Sequence, residues 1–424
     1  MPHNDFIRKL LDLKDQNITF LENCYSEAVI KNITHKIIHA KLTYQPLACH
    51  NCGSSFDSNI IKHGFKESKI KLLNTAGHPT ILKLMKQRFL CRHCNSTFVL
   101  KTPLVNKNCF ISNRVKLSIA INAQDKISEK DIAKYHNVSH STVNRQISGA
   151  YNSYQVKKNY LPRNLCFDEF KSVKEASGAM SFLFVNADTS EIVDIVENRR
   201  LEYLRRYFMG FTKEARRAVR NIVIDMYAPY MSLIKALFPN AKIIIDKFHV
   251  VQLVSRALNK TRVGIMNKTD KNYKFYKKYW KLILKDRQNL DAVTLKYHRL
   301  FDKKMREIDI VDAILQTNSE LEVNYNIYQD IKCAIKLKNI KLLDLVISNE
   351  DPLISEYMKT ALKTLRKYKG YVANMMSTNY TNGVIEGINN KIKVIKRIAF
   401  GYRNFRNFKN RILITQGMLK LKAA

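Results

Sequence analysis

Acidic residues are scarce in this chain. Its 424 residues include 36 Asp+Glu against 73 Lys+Arg, which gives a formal net charge of +37 at pH 7. Such an excess attracts polyanions over long range, and counterion release makes the binding steeply salt-dependent. A soluble basic protein such as a ribosomal factor is the plainer alternative, but it does not account for the metal-type motifs described below. We therefore expect a nucleic-acid-binding protein.

Long apolar runs are also missing. None approaches the roughly 20 residues that a membrane-spanning helix needs. Near the N-terminus, Arg8, Lys9, Asp12, Lys14 and Asp15 alternate with leucines, so the apolar core of a signal peptide is absent. We expect a cytoplasmic protein with no membrane partner. Its eight cysteines should then be thiols or metal ligands, not disulfides.

The chain shows no internal repeat and no long low-complexity segment, and its length predicts two or more domains. Gly and Pro are rare after residue 250, which favours helices there. The expected divisions are a zinc-binding N-terminal module of short strands (1–110), a helical DNA-binding segment (111–150), a linker (151–163), the first part of an α/β core (164–250), an all-helical insertion (251–375), and a helix followed by a basic tail (376–424).

Two C-x-x-C pairs predict one zinc site, because two such pairs close a tetrahedron of thiolates. The four ligands would be Cys49, Cys52, Cys91 and Cys94. Gly53 and Asn95 directly follow the pairs, and both residue types tolerate the left-handed backbone of a metal knuckle. The gap between the pairs is longer than in a common zinc ribbon. Alternating residues at 69–72 and 81–84 indicate that a hairpin fills it.

The alternatives for these four cysteines are a redox pair or incidental buried thiols. We expect His50 and His93 to be spectators beside the site. The other cysteines are solitary and are expected in the core; they are Cys24, Cys109, Cys166 and Cys333.

A helix-turn-helix is predicted before the linker. Ser128 is a candidate N-cap for a helix over 129–135, and Ser139 is one for a second helix over 140–148. The second helix would enter a major groove. Its expected DNA-binding residues are His140, Ser141, Thr142, Asn144 and Arg145. Two short helices with polar faces also occur in ordinary helical domains, so this alternative stays open.

Apolar strand candidates dominate the next segment, in the order 164–170, 180–187, 192–196, 222–226 and 241–245, with a helix over 229–237. A turn signature joins the second and third, and a helix joins the last two as a parallel βαβ unit. Hairpins followed by a βαβ unit are the order of a ribonuclease H-like α/β fold. In that fold, strand one lies beside strand four.

This adjacency selects the acids that can share a metal. We expect Asp168 at the end of strand one and Asp225 at the end of strand four. Because neighbouring strands lie about 4.8 Å apart, both carboxylates can reach the same metal ions. Asp246 ends the fifth strand, so we expect it and His249 to support the site without binding metal directly. Glu169 should point away from Asp168 by strand alternation. A lone solvated carboxylate is the usual alternative for each acid.

A third ligand comes from a helix. Asn382, Glu386, Asn389 and Lys393 recur at helical spacing and share one face. Four isoleucines form the opposite, packed face; they are Ile385, Ile388, Ile392 and Ile395. We therefore expect Glu386 to complete the metal site, with Asn382 and Asn389 supporting it.

Several of these stretches carry a family resemblance. They are Cys166-Phe167-Asp168-Glu169-Phe170, Asp225-Met226-Tyr227, Phe238-Pro239-Asn240-Ala241, Asp246-Lys247-Phe248-His249-Val250, and, most specific, residues 381–393 continued by 396–405. Together they resemble the DDE transposases of bacterial insertion sequences, ISL-three group. The resemblance implies a catalytic triad of Asp168, Asp225 and Glu386. It also implies the zinc module, the helix-turn-helix, and an all-α insertion between the second Asp and the Glu.

The resemblance further implies metal-dependent cleavage and strand transfer of DNA, with two Mg²⁺ (or Mn²⁺) ions per active site and one structural Zn²⁺. The expected partner is double-stranded DNA, as terminal inverted repeats and as target, bound by a homo-oligomer in the synaptic complex near the bacterial nucleoid. Basic side chains after the triad would hold phosphates; they are Lys393, Lys396, Arg397 and Arg403. Tyr402, Phe405 and Phe408 either stack on bases or pack the tail onto the core.

Two other functions remain possible from the residues alone. One is a DNA-binding regulator with an inactive ribonuclease H-like domain, against which the intact acids argue. The other is a structure-specific nuclease such as a Holliday-junction resolvase, which is usually shorter and lacks the N-terminal modules. In the insertion, Tyr276, Tyr279 and Trp280 alternate with lysines. Core packing beside a basic solvated face is favoured there over DNA contact.

Overall fold

The computed structural model describes residues 2–56 and 59–422. The chain divides into two compact units. The first contains Met1–Gln155 together with Ile392–Ala424, and the second contains Val156–Lys391. The predicted linker (151–163) is therefore divided between the two units. In the first, Tyr151 is buried and its hydroxyl donates to the carbonyl of Ala120. In the second, the carbonyl of Lys158 accepts from the Thr212 N–H.

The first unit begins with α1 (Pro2–Leu10), β1 (Ile18–Ile30), β2 (Ile33–Leu42), β3 (Ile60–Lys71), β4 (Thr80–Cys91), β5 (Ser96–Val99), α2 (Asn113–Asn122), α3 (Glu129–Tyr135) and α4 (His140–Ala150). Its strands have the order β1-β2-β4-β3, with β5 also on β4. The expected hairpin between the cysteine pairs is confirmed, since Ile70 pairs with Leu82 and Lys71 with Ile81. The strands are longer than predicted, at 12 residues each for β3 and β4. Alternate side chains of β4 are buried in one core along its length, whereas β3 contributes Ile60 and Ile70 near its two ends.

Both helix starts of the predicted helix-turn-helix are confirmed. Ser128 accepts a hydrogen bond from the Asp131 N–H, and Ser139 accepts one from the Thr142 N–H. Each side chain thus satisfies a backbone donor that the first turn leaves unpaired. Val143 and Ile147 are buried, as the spacing indicated.

The second unit contains β6 (Asn164–Lys171), β7 (Met180–Asn186), β8 (Ile192–Val196), α5 (Leu201–Met209), α6 (Lys213–Ala218), β9 (Asn221–Ile224), α7 (Ala228–Leu237), β10 (Lys242–Ile245), α8 (Lys247–Met266), α9 (Tyr273–Lys278), α10 (Trp280–Ile283), β11 (Lys296–His298), β12 (Lys303–Met305), α11 (Glu307–Leu315), α12 (Ser319–Lys336), α13 (Ile340–Ile347), α14 (Glu356–Lys367) and α15 (Lys369–Met376). The helix α16 (Gly383–Ile398) runs from the end of the second unit into the first, and α17 (Phe405–Thr415) follows it.

The sheet of the second unit has the order β10-β9-β6-β7-β8. The strands β6 and β9 are parallel neighbours, and so are β9 and β10, which confirms the adjacency predicted for strands one and four. One face of the sheet carries an aromatic core around Phe167, whose ring lies 5.0 Å from Phe182 and 5.6 Å from Phe208. Burying each such ring stabilises the fold by roughly 1.5–3 kcal/mol. The opposite face carries Asp168 beside buried apolar residues such as Leu183 and Val185.

The segment expected to be all-helical is mostly helical and also contains the short hairpin β11–β12. Tyr276 and Tyr279 are buried, which confirms that they pack in the core, whereas Trp280 is 40% exposed. The hairpin β11–β12 was not predicted, because its strands have three residues each.

The C-terminal stretch differs from a simple basic tail, since it forms α17. Phe408 is fully buried and stacks on Tyr402 at 5.0 Å, so these aromatics pack onto the core. Arg411 is also buried and donates to the carbonyls of Asp125 and Ile127. Across the described residues, every helix is too short or too polar to cross a membrane.

Candidate active site

The two aspartates emerge from neighbouring strands. Asp225 directly follows β9, as predicted. The predicted position of Asp168 at the end of its strand is wrong. Asp168 lies inside β6, which continues to Lys171 along β7. The parallel pairing of β6 with β9, however, ends at Cys166 and Val223. Asp168 therefore leaves the β6–β9 ladder at the same edge as Asp225, although its strand does not end there.

Asp168 is held by two donors. Asn389 donates from Nδ2 to Oδ2 at 2.7 Å, and the Glu169 N–H donates to Oδ1 at 2.7 Å. Burial raises the pKa of the Asp168 carboxyl to about 6, and the nearby charge of Asp225 also raises it. A carboxyl that is partly desolvated beside a second carboxylate is costly to ionise, and a cation removes that cost.

Asp225 contacts His249 and the first residues of the α16 region. The His249 Nε2 lies 2.8 Å from Asp225 Oδ1, and Asn382 Nδ2 donates to the same oxygen at 3.3 Å. This contact with Asp225 raises the pKa of His249. Asp246 is buried and its Oδ1 accepts the Asn382 N–H at 3.2 Å. Asp246 thus fixes the chain just before α16 begins.

Glu386 lies between these two contacts. It is one turn after Asn382, which reaches Asp225, and about one turn before Asn389, which reaches Asp168. Residues at this spacing share a helix face. The opposite face of α16 is packed, since Ile385 and Ile388 are buried. Glu386 itself is exposed.

A divalent cation is the ligand that paired aspartates of this kind imply. A metal site of this kind needs three or more Asp, Glu, His or Cys ligand atoms close enough to share one ion. Among residues 2–56 and 59–422, only the four cysteines form such a group. Glu386 therefore does not join Asp168 and Asp225 in one. The donor chemistry nevertheless fits Mg²⁺, which prefers carboxylate and carbonyl oxygens. The Oδ1 atoms of Asn382 and Asn389 are buried beside the aspartates with no hydrogen-bond partner in the described chain. Buried polar oxygens of this kind normally have a partner.

Glu169 faces away from Asp168, as alternation required. Tyr230 donates from its hydroxyl to Glu169 Oε2 at 2.6 Å, and Arg199 forms an ion pair with Glu169 Oε1. This network lies on the side of the aromatic core and ties α7 and the segment after β8 to β6. Arg199 and Tyr230 were not predicted, because no local pattern marks partners that are tens of residues apart.

The four cysteines form a second centre. Cys49 and Cys94 have their sulfurs 3.8 Å apart, as do Cys52 and Cys91. Four sulfurs placed tetrahedrally at about 2.3 Å from zinc would be separated by about 3.8 Å. The Ser96 hydroxyl lowers the pKa of the Cys94 thiol to about 6, which favours the thiolate that binds metal. The donor set therefore fits Zn²⁺.

The local backbone of this centre follows the sequence expectation. Gly53 has φ +75° and Asn95 has φ +52°, both in the left-handed region. The two C-x-x-C loops therefore turn in the same way, and each presents its pair of thiols to the other. The ring of His50 packs against Phe98 at 4.6 Å. This contact agrees with the expectation that His50 is a spectator.

The predicted DNA-binding residues on α4 differ in exposure. Ser141 and Arg145 are exposed, whereas Thr142 is buried with its Oγ1 2.9 Å from Ser139 Oγ. Ser141 and Arg145 are thus among the members of this set whose side chains are open to solvent. His140 and Asn144 both contact Glu129 of α3, at 3.3 Å. Farther along the chain, Lys393, Arg397 and Arg403 are exposed and Lys396 is half-buried.

Comparison with known proteins decides the family. A family model described as a transposase, of the ISL3 type with a DDE centre, matches residues 165–412, more than half of the chain. The chain belongs to the ISL-three family of DDE transposases. A second model, described as the zinc-finger of transposase IS204/IS1001/IS1096/IS1165, matches residues 45–94. That range includes all four cysteines of the zinc-type centre, so the transposase has the zinc ribbon of its family.

Two curated relatives are similar to this transposase. The transposase for insertion sequence element IS1001 of Bordetella parapertussis is 23% identical over 397 residues, which cover 91% of each chain. A protein named ATP-dependent protease from Lactococcus lactis subsp. lactis is 38% identical over 113 residues, 27% of this chain and 36% of the relative. The transposase therefore spans only about a third of that second relative, and the match does not carry the second relative's activity to this chain.

Proposed function

We propose that this chain cuts DNA at the terminal inverted repeats of an insertion sequence and joins the freed ends to target DNA. The contacts of α16 carry the proposal. Asn382 and Asn389 reach Asp225 and Asp168, and Glu386 lies between them on the same helix face. This arrangement favours one centre built from three carboxylates that are far apart in sequence. The strand order β10-β9-β6-β7-β8 agrees with a ribonuclease H-like fold, which we infer for this unit.

Asp168, Asp225 and Glu386 are the residues that we propose hold two divalent cations, Mg²⁺ or Mn²⁺. Such a cation pair, when bound, supplies positive charge for the attacking and leaving oxygens of a phosphodiester in in-line displacement. Glu386 is exposed and its side chain has three rotatable bonds, and we propose that it turns toward the aspartates when the cations bind.

The remaining residues of the site act by holding positions. Asn389 fixes one oxygen of Asp168, and the Glu169 N–H fixes the other. His249 and Asn382 do the same for Asp225, and Asp246 fixes the backbone where α16 begins. A carboxylate that is already oriented needs little rearrangement when charge develops nearby, and this preorganisation is the main source of electrostatic catalysis. The proposal needs no covalent protein–DNA intermediate.

DNA recognition is proposed for the first unit. The helix α4 presents Ser141 and Arg145 to solvent, as the second helix of a helix-turn-helix would to a major groove. The exposed Lys393, Arg397 and Arg403 suit phosphate contacts, which position a protein on DNA without reading its sequence. Synapsis of two ends requires a homo-oligomer, and we propose one for the active assembly.

The test uses the full chain and DNA carrying the ends of the element that borders its gene. Asp168→Asn, Asp225→Asn and Glu386→Gln should each abolish Mg²⁺-dependent cleavage and strand transfer but keep end binding in a gel-shift assay. Any one of these variants cutting at the rate of the unaltered chain would show that the triad is misassigned. A pre-cut end separates the alternatives, because a transposase joins it to target DNA, a nuclease does not, and a DNA-binding regulator neither cuts nor joins.

A further inference from the structure

The short hairpin β11–β12 in the helical insertion has no role in the site described above. Its residue pairs are Lys296 with Met305, Tyr297 with Lys304, and His298 with Lys303. A two-stranded ribbon of this size is marginally stable in water by itself. Its conformation therefore depends on what one of its faces packs against.

The inner face of the hairpin is fixed to the helices before it. Met305 is buried, and His298 Nδ1 lies 3.3 Å from the hydroxyl of the buried Tyr279. At the hairpin turn, the ring of Phe301 lies 4.6 Å from Phe275 and 5.7 Å from Tyr279. These aromatic contacts hold the ribbon in one orientation, with its other face outward.

The hairpin carries several exposed basic side chains. Tyr297 is 60% exposed and is paired with the exposed Lys304. Three more exposed cations belong to the ribbon, namely Lys296, Arg299 and Lys303. The one acid between residues 296 and 305 is Asp302, which accepts the hydroxyl of Tyr297.

The neighbouring acids make their direct contacts with groups other than these four cations. Asp291 accepts the backbone N–H groups of Val293 and Thr294, and Asp309 is paired with Arg306. Over the described ranges, no salt bridge within 4.0 Å forms at Lys296, Arg299, Lys303 or Lys304. Four cations on an aromatic-anchored ribbon are thus available to an anionic partner.

We propose that the hairpin β11–β12 is a second DNA-binding element, which enters a groove of duplex DNA and places these four cations on phosphates. This inference rests on the proposed function for its ligand, because DNA is the polyanion that the enzyme handles. The major groove is about 12 Å wide and admits a two-stranded ribbon. The exposed ring of Tyr297 then lies against the sugar-phosphate backbone, where tyrosine is a common contact.

The first test measures the salt dependence of binding to a duplex of random sequence. The full chain carries Asp168→Asn so that cleavage plays no part, and the test variant adds Lys296→Gln, Arg299→Gln, Lys303→Gln and Lys304→Gln. A control of equal charge carries Lys341→Gln, Lys363→Gln, Arg366→Gln and Lys367→Gln, all exposed positions on α13 and α14. Each lost phosphate contact lowers the slope of log K against log salt by about 0.9.

We expect the slope of the hairpin variant to fall by about 3–4 and that of the control to change by less than about 1. Equal changes in both variants would overturn the proposal, because only the net charge would then matter. The aromatic anchor is untouched by these substitutions, so the thermal unfolding temperature should stay the same in both. This comparison is independent of the cleavage test, and each can fail without the other.

A photocrosslink identifies the partner directly. The amino acid p-benzoylphenylalanine in place of Tyr297 keeps the aromatic ring and reacts with whatever lies within a few ångströms. Crosslinks to DNA in the protein–DNA complex support the proposal. Crosslinks only to protein, from a second copy or an added acidic protein, would overturn it. The same substitution at the exposed Tyr357 on α14 serves as the control position.

Discussion

Asn389 offers the sharpest test of how the candidate active site works. It is buried, and its Nδ2 donates to Asp168 Oδ2 at 2.7 Å. Asn389→Ala removes the donor and leaves a partly buried carboxylate oxygen without it. A hydrogen bond to a charged group contributes about 1.5–3 kcal/mol. At about 1.36 kcal/mol for each factor of ten in rate, the expected loss of cleavage is about 10- to 150-fold.

Two companion variants make this prediction specific. Asn389→Asp has almost the same shape but places a second carboxylate against Asp168, so its loss should be at least as large. Asn382→Ala removes a longer contact of 3.3 Å, and a weaker bond of about 0.5–1.5 kcal/mol predicts only a 2- to 12-fold loss. Val394→Ala, at an exposed position of the same helix, should cleave normally.

The assay is single-turnover cleavage of end DNA by the full chain at saturating Mg²⁺, with binding measured in parallel. The expected result is slower cleavage at unchanged affinity for DNA, since Asn389 orients a catalytic group and does not bind the substrate. Cleavage by Asn389→Asp at the rate of the unaltered chain would refute the reasoning. So would a larger loss for Asn382→Ala than for Asn389→Ala.

Two further predictions concern the first unit. The purified chain should contain one zinc per molecule. Cys94→Ser should lose this zinc, whereas Cys333→Ser, in the insertion, should keep it. Metal analysis that finds equal zinc in both variants would contradict the assignment of the four-cysteine centre. Arg145→Ala should weaken binding to the terminal repeats by about 5- to 150-fold, because a base contact contributes about 1–3 kcal/mol. Thr142→Ser, at a buried position, should bind normally. Equal affinities of Arg145→Ala and the unaltered chain at physiological salt would count against α4 as the helix that contacts bases.

Local features were predictable from the sequence because neighbouring residues determine them. Ser128 and Ser139 cap their helices through bonds to an N–H three residues later. Gly53 and Asn95 take the left-handed backbone that the cysteine loops need. Alternation along β6 places Asp168 and Glu169 on opposite faces, and the contacts of Glu169 with Tyr230 agree. Each of these needs only a few residues of context.

Errors arose where one residue type has several uses. Arg411 was expected on a basic tail, yet it lies in the core and donates to two carbonyls more than 280 residues away. Thr142 was expected to face DNA, and its side chain is buried beside the capping Ser139. The hairpin β11–β12 escaped prediction because aromatic contacts, and not strand propensity, hold its short strands.

By itself the sequence determined the family, the four zinc-binding thiols, the caps of α3 and α4, and the identity of the acids that face one edge of a sheet. These properties follow from short-range geometry, since bond angles and strand or helix periodicity fix where neighbouring side chains point. The spacing also marked Asn389 and Asp246 as supporting residues, but only the tertiary structure decided their partners: Asn389 donates to Asp168 across 221 residues, and Asp246 accepts from the backbone where α16 begins. Such contacts depend on how separate elements pack, because burial and hydrogen bonding select partners in space and leave no spacing in the sequence that records the choice.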